Sequence, residues 1–364
     1  MSAPSPAALP PLPSPARSTH PILYLSSFLA KQTRPSKQPF LSSPASLNAG
    51  VLPLSAVGSS VATMGGTKVA TAVTLMILPS VATADLQYTL SHNPHFTSNL
   101  PPSNPASRDA REQAKFLESK VGEVLRSSGY VDLLSLRVLR EKETAKAGGT
   151  VAVATGEGGE GAGPRDDFYR LAVSATVLAD DGHLLPALLL SAVAALKDAR
   201  LPPDEDVAVV TKEEAAGGRK KRQKREVAIR VRDVGEVQER RIGLEADKAP
   251  FASSFAFLPP DTAPPPSSSP ASPPNPLAFV VLDPDKMEEL AALTPYYKNP
   301  YPSRPCHWGG GVATLVVNRA GELVDLMKIG GGSGRQKMGS MDALEKLGEI
   351  AEERARSVLG KLEI

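Results

Sequence analysis

The most informative segment of the sequence is ADDGHLLPALLLSAVAAL, Ala179–Leu196, in which two acidic residues and a glycine are followed directly by leucine and alanine. A helix that is apolar on every side is a buried helix. Residues Asp180–Gly182 predict the turn from a strand into this helix, with a carboxylate free to meet the unpaired N–H groups of the first helical turn. Pro186 fits because the first turn needs no internal donor. The sequence therefore predicts a helix enclosed between a sheet and other elements.

Runs of alternating apolar residues on both sides of this helix predict strands. They include Tyr169–Ala179 before the helix and Glu226–Asp233 after it, the latter with arginines between its apolar positions. Gly58–Ile77 consists of two β-rich runs around a glycine pair, which permits a tight hairpin turn at residues 65–66. Two more hairpins are predicted, one pairing FASSFAFL (251–258) with LAFVVLD (277–283) and one over Val312–Ile329.

Three more helices are indicated by 3.6-residue patterns and by helix-end signals. The first covers Ala106–Gly129, with Ser107 as a possible N-cap and an apolar stripe of Phe116, Leu117, Val121, Val124 and Leu125. The second begins within DPDKMEEL (283–290), where Asp283 is able to cap the helix and Pro284 to open its first turn. The third begins near Met341 and has one apolar face.

Low-complexity segments indicate how the chain is organised. Residues 146–167 are glycine-rich, 212–225 form a charge run and 259–276 are almost entirely proline and serine. None can bury enough apolar surface to offset its ordering entropy, so each is predicted as a mobile insertion. Residues 1–21 are predicted as a disordered Pro/Ser-rich tail, and 22–364 as a single domain. The alternative for the N-terminus is a transit peptide, because the first acidic residue is Asp85.

Composition excludes several classes of protein. The net charge of +2 gives no global argument for nucleic-acid binding. The one cysteine, Cys306, excludes a disulfide framework and a cysteine-rich metal site, and it fits a reducing compartment. The apolar run Val69–Ala84 contains Pro79 and is shorter than the roughly 20 residues that a bilayer core requires, so no membrane partner is expected.

In their order along the chain, the predicted elements resemble those of the RNase PH family, whose α+β fold is related to the second domain of ribosomal protein S5. Residues 24–40 resemble the family's N-terminal helix and its Arg-Pro-Asp-Gly-Arg box, which here reads Arg34-Pro35-Ser36-Lys37-Gln38. Residues 177–202 resemble its acid-glycine turn and buried helix, and 280–290 its Asp-Pro-x-x-x-Glu-Glu element. No single motif is highly specific, but their collinear order is. Within the family the chain resembles the ring subunits of the eukaryotic exosome.

The resemblance also implies where the chemistry of active relatives would take place. Those enzymes attack the 3′ end of RNA with inorganic phosphate, and their turn reads Ala-Asp-Gly-Gly-Thr-Arg, with the arginine among the phosphate ligands. Here Leu184 stands at the arginine position, and Asp181 adds an anion that repels phosphate. Residues 226–233 present arginines in place of the family's aspartates. We therefore expect an inactive chain with no catalytic residue, metal or cofactor.

Three other features have alternative interpretations. His183 could contact RNA or could help satisfy the start of the helix, and the second is favoured because no titratable partner is visible in the sequence. GGGSGR, Gly330–Arg335, lacks the ending of a P-loop and is interpreted as a connector. The pair Cys306-His307 has no further metal-ligating companions and is interpreted as loop.

Two sets of basic residues are candidates for RNA contact. Arg108 and Arg111 lie near the start of the first predicted helix, where active relatives place RNA-contacting arginines. A denser run suits nuclear import or contact with a phosphate backbone. It comprises Arg219, Lys220, Lys221, Arg222, Lys224 and Arg225.

The function expected from the resemblance is that of a non-catalytic structural subunit of the RNA exosome ring, which supports 3′-to-5′ RNA processing and degradation, including rRNA maturation. The expected partners are other RNase PH-type ring subunits, S1/KH-type cap subunits and RNA, in the nucleus, the nucleolus and the cytoplasm. Two alternatives stay open. One is an active phosphate-dependent 3′ exoribonuclease of the RNase PH type, and the other is an organellar S5-like ribosomal protein.

Overall fold

The computed structural model describes Leu25, Phe28 and residues 33–35, 39–41, 44–51, 56–78, 85–92, 105–136, 168–201, 207–213, 223–229, 240–258, 280–293, 311–330 and 341–361. The predicted tail 1–21 and the insertions 146–167 and 259–276 lie outside these residues. So do the glycine loop after residue 330 and the pair Cys306-His307.

The first sheet has five strands in the order β1-β2-β3-β5-β4. They are β1 Ala45–Ala49, β2 Gly58–Met64, β3 Thr67–Leu78, β4 Asp85–His92 and β5 Phe168–Ala179. All neighbours are antiparallel except β4 and β5, which are parallel. The predicted hairpin at the glycine pair is confirmed, since Met64 pairs with Thr67 and Gly65 has a φ of 55°. The alternating apolar residues of β5 are buried as predicted.

Two small strand pairs follow the first sheet. The strand β6, Arg200–Leu201, pairs with β9, Arg240–Arg241. The strand β7, Val207–Glu213, pairs with β8, Gln223–Ile229. The predicted insertion 212–225 is therefore too long at both ends, because its first two and last three residues belong to strands. The pairing of β7 with β8 continues into these charged residues because the hydrogen bonds between the strands are made by backbone groups.

The second sheet has four antiparallel strands in the order β11-β10-β12-β13. They are β10 Pro250–Phe257, β11 Val280–Leu282, β12 Gly311–Asn318 and β13 Leu323–Gly330. Both hairpins predicted from the sequence are confirmed. In the β12–β13 turn, Asn318 and Glu322 exchange hydrogen bonds between backbone and side chains, which fixes the register.

The first helix, α1, extends over Pro105–Ser127. It starts before Ser107, which is therefore inside the helix and is not its N-cap. Pro105 suits the first helical position because its φ is already helical and its missing N–H is not needed there. Most of the predicted apolar stripe is buried, but Phe116 is 48% exposed and does not belong to the core.

The helix predicted from residues 179–196, α2, extends over Leu184–Asp198, and all of Leu184–Leu196 is buried. It packs against β2 and β3 of the first sheet and against β10 of the second, so it is enclosed by both sheets as predicted. A chain of buried hydroxyl groups also joins it to the first sheet. Ser60 Oγ donates to the carbonyl of Ser191, and Ser191 Oγ donates to Thr71 Oγ1, at 2.6 Å each.

Helices α3, Lys286–Leu293, and α4, Met341–Lys361, cover the second sheet. The N-cap of α3 is not Asp283. Asp285 Oδ1 accepts the N–H groups of Met287 and Glu288, and Glu288 Oε2 accepts the N–H of Asp285, which is a complete capping box. Asp283 instead has a φ of 44° and forms an ion pair with Arg354 of α4. None of the described helices is both long and apolar enough to cross a bilayer.

Candidate functional site: the acid-glycine turn

The turn between β5 and α2 has two residues in the left-handed backbone region and is packed closely against the segment before α3. Gly182 has a φ of 93° and His183 a φ of 38°, both in the left-handed region. A Cβ atom on Gly182 would lie 2.5 Å from the carbonyl oxygen of Pro284. Glycine is therefore required here both by the backbone conformation and by the close approach of the segment before α3.

The carboxylates of this turn do not cap α2. Asp180 Oδ1 accepts the N–H of Gly182 at 3.2 Å, and its Oδ2 pairs with Lys286 Nζ at 3.0 Å. The Asp181 side chain lies beside Gly66 of the β2–β3 turn, where a Cβ would come within 2.4 Å of Asp181 Oδ2. Asp180 therefore does not meet the first turn of α2 as predicted, because its two carboxylate oxygens bind Gly182 and Lys286.

The hydrogen bond at the start of α2 is accepted by a glutamate from another helix. Glu289 Oε1 of α3 accepts the backbone N–H of His183, the N-cap residue of α2, at 2.7 Å. Burial raises the pKa of Glu289 to about 7, while its hydrogen bond from His183 lowers it. The sequence shows this residue as the second acid of the Glu-Glu pair, but no local pattern connects it with a turn 106 residues earlier.

The His183 side chain is a buried structural group, only 3% exposed. Its Nε2 lies 2.6 Å from the carbonyl oxygen of Met64, and its Nδ1 lies 3.0 Å from that of Pro284. Carbonyl oxygens only accept, so the ring donates to both of them only when both nitrogens carry a proton. His183 thereby joins the end of β2 to the segment before α3, and Glu289 is the titratable neighbour that the sequence did not reveal.

Thr67 completes this junction from the first sheet. Its Oγ1 donates to the carbonyl oxygen of Gly182 at 2.6 Å and accepts the N–H of Asp181 at 2.9 Å. The turn is therefore bonded to the β2–β3 hairpin on one side and to α3 on the other. Leu184, the first residue of α2, is buried and adds no cation to the turn.

Arg34, in the segment 34–38 that resembles the Arg-Pro-Asp-Gly-Arg box, also makes structural contacts. The buried Arg34 guanidinium forms a fork with Glu288, with Nε 3.0 Å from Oε1 and Nη2 2.5 Å from Oε2. It also donates to the carbonyl oxygens of Leu282 and Asp283. Burial raises the pKa of Glu288, and the bond from Arg34 opposes this rise. The fork therefore ties the N-terminal segment to the start of α3.

The other predicted site residues are not brought to this turn by any described contact. Arg108 and Arg111 lie in the first turns of α1, and their side chains are outside the described part of the chain. Of the basic run, Lys224 and Arg225 have their backbone in β8, and residues 219–222 are not described. Within the described ranges, no group of histidine, cysteine and acidic residues could hold a metal ion.

Comparison with known proteins identifies the fold. Residues 44–202 match the RNase PH profile, described as 3′ exoribonuclease family, domain 1. The chain is similar to a structure of the Archaeoglobus fulgidus exosome with RNA bound to the active site, at 17% identity and a TM-score of 0.55, over 94% of this chain and 97% of that one. It is also similar to an archaeal exosome core, at 16% identity and a TM-score of 0.54, over 94% and 96% of the two chains. No curated protein matches. The predicted RNase PH-like α+β fold is confirmed.

Proposed function

We propose that this chain, which has an RNase PH-like fold, is a non-catalytic subunit of an RNA exosome ring. The observation that carries the proposal is the use of the acid-glycine turn. The His183 N–H, at the N-terminus of α2, is bonded to Glu289 of the same chain. A helix N-terminus binds a phosphate through such N–H groups, so an internal carboxylate at this position opposes phosphate binding.

The electrostatics of the turn support the same proposal. Asp180, Asp181 and Glu289 bring three acidic groups to the turn, and the cation Lys286 is paired with Asp180. Inorganic phosphate would approach like charges there without the arginine that active relatives supply, since Leu184 occupies that position. Arg34, which comes from the segment that resembles the family's Arg-Pro-Asp-Gly-Arg box, is paired with Glu288.

The more specific form of the proposal names the subunit. Within the exosome ring the chain most resembles ribosomal RNA-processing protein 43, through FLAK (28–31), LKDARLP (196–202) and KIGGGSG (328–334). In that role it would contact other RNase PH-type ring subunits, S1/KH-type cap subunits and RNA. It would act in rRNA maturation and RNA degradation in the nucleus, the nucleolus and the cytoplasm.

A phosphorolysis assay tests the absence of catalysis. The purified chain is incubated with single-stranded RNA, phosphate and magnesium, and release of nucleoside diphosphates is measured against buffer. No release is expected. Release above the buffer control that disappears in the Asp180→Ala or the Asp181→Ala variant contradicts the proposal and favours the active exoribonuclease.

Association with another ring subunit tests the structural role. Strand β13 lies at an edge of the second sheet and carries Leu323 and Leu326, which are 60% and 45% exposed. Such an edge favours self-association when the chain is alone. Co-expression with another RNase PH-type ring subunit should give a soluble complex with a higher melting temperature, because binding stabilises the folded form. A monomer whose mass and melting temperature do not change with the other ring subunits contradicts the proposal.

A further inference from the structure

A cavity of about 330 Å³ lies between α1 and the edge strand β4, away from the acid-glycine turn. Its strand side is formed by Leu86, Gln87 and Tyr88. On the helix side, a Cβ on Gly122 would make ordinary contacts at 3.5 Å with the Arg126 guanidinium and with Tyr88 Cβ. A small residue at position 122 therefore leaves this space open, and the volume is within the usual range for a small ligand.

The helix side of the cavity is polar and carries more positive than negative charge. It presents the cations Lys115 and Arg126, the hydroxyl of Ser119 and the carboxylate of Glu118. Two of these groups also bind the free edge of β4. Arg126 Nη1 donates to the Leu86 carbonyl at 3.2 Å, and Glu118 Oε2 accepts the N–H of Leu90 at 3.4 Å. Two backbone groups of β4 thus already have side-chain partners, which makes the pairing of an added β-strand there less favourable.

Further basic positions on α1 lie on the same face of the helix as the residues that line the cavity. Successive residues of an α-helix are separated by about 100° around its axis. On this basis an arc of about 80° contains positions 108, 111, 115, 119, 122 and 126. The positions span about 27 Å of helix. Four of the six are arginine or lysine, and the other two are the small residues serine and glycine. One face of the helix therefore has basic positions from its N-terminal turns to the cavity.

The geometry points to binding of single-stranded RNA along this face of α1, with one nucleotide in the cavity. A positively charged groove that follows the backbone is the usual way in which proteins bind single strands. Lys115 and Arg126 would bind phosphate groups, and the Gln87 amide and the Ser119 hydroxyl would offer hydrogen bonds to base or ribose. The inference rests on the proposed function for its choice of RNA as the ligand.

The test is fluorescence anisotropy of the full chain with a labelled oligouridylate of about ten nucleotides, a length within the site sizes of single-strand binding proteins. Gly122→Leu fills the cavity without a change of charge, and Lys115→Glu reverses an exposed charge with little effect on folding. Each should weaken binding about tenfold, the size expected for a lost nucleic-acid contact. Lys115→Glu should also reduce the dependence of affinity on salt between about 50 and 200 mM.

The matched control is Lys346→Glu, the same charge reversal at an exposed position on α4, which should leave affinity within about twofold. Glu118→Gln should tighten binding, because it removes the carboxylate of the cavity. The inference is overturned when the wild-type chain does not bind the oligonucleotide, when Gly122→Leu and Lys115→Glu bind as the wild type does, or when inorganic phosphate competes as well as the oligonucleotide. A chain that joins the ring and shows any of these results loses this inference but not the proposed function.

Discussion

The carboxyl group of Glu289 should make the stability of the fold depend on pH. Burial raises its pKa from 4.5 to about 7. A carboxyl whose pKa is higher in the folded than in the unfolded state stabilises the fold below its unfolded pKa, and this contribution is lost as the pH rises through its folded pKa. The stabilisation by the protonated carboxyl is therefore lost between pH 4.5 and about 7. At about 1.4 kcal/mol for each pH unit, the full loss is about 3.5 kcal/mol.

Glu289→Gln isolates this effect. Glutamine keeps an oxygen that can accept the N–H of His183 but has no proton to lose. The difference in free energy of unfolding between the wild type and this variant should change by about 2 to 3 kcal/mol between about pH 5 and 8, with the wild type losing stability as the pH rises. Urea unfolding followed by circular dichroism at several pH values gives the measurement. Parallel pH profiles for the two proteins would show that ionisation of Glu289 does not cause the pH dependence.

Two further variants separate ionisation from hydrogen bonding. Glu349→Gln, at an exposed position on α4, should give a profile parallel to that of the wild type. Glu289→Ala removes the acceptor as well as the charge and leaves the N–H of His183 without its partner. It should cost about 1–3 kcal/mol relative to Glu289→Gln at every pH.

Three other predictions concern stability. Arg34→Met should cost about 3–5 kcal/mol in urea unfolding, because it leaves the buried Glu288 without its charged partner; a loss below about 1 kcal/mol would mean that the pair is solvated. Gly182→Ala should destabilise by more than 2 kcal/mol, whereas Gly348→Ala on α4, which has open space around it, should be neutral or slightly stabilising in the same assay. Deletion of residues 261–275 should change the melting temperature by a few degrees at most, because loop-closure entropy varies slowly with length, and a larger drop would show that the segment is packed.

The secondary structure was predictable wherever burial is one-sided or complete. The strand β5 alternates apolar and polar residues because only one of its faces meets the core, and α2 is apolar all round because both sheets enclose it. Element ends were less predictable. Asp283 and Asp285 are both acceptable caps in the sequence, but the helix begins after Asp285, and the Asp283 carboxylate is bound instead by Arg354 and by the N–H of Ser254.

The chemistry of the turn was only partly predictable from the sequence. The sequence shows directly that position 184 carries a leucine and no cation, but it does not show which group satisfies the start of the helix. Glu289 and His183 are 106 residues apart, and their contact depends on how α3 packs against the turn. Likewise, the cavity beside α1 exists because a glycine faces an edge strand, which no helical pattern reveals.

The fork between Arg34 and Glu288 has a consequence for how the chain is made. The two residues are separated by 254 positions. At synthesis rates of about 5–20 residues per second, Arg34 leaves the ribosome roughly 13–50 s before its partner. All strands of the first sheet lie between the two residues, so they can pair during translation before Glu288, the carboxylate partner of Arg34, has been made. The N-terminal segment, although made first, is therefore among the last parts of the chain to be secured.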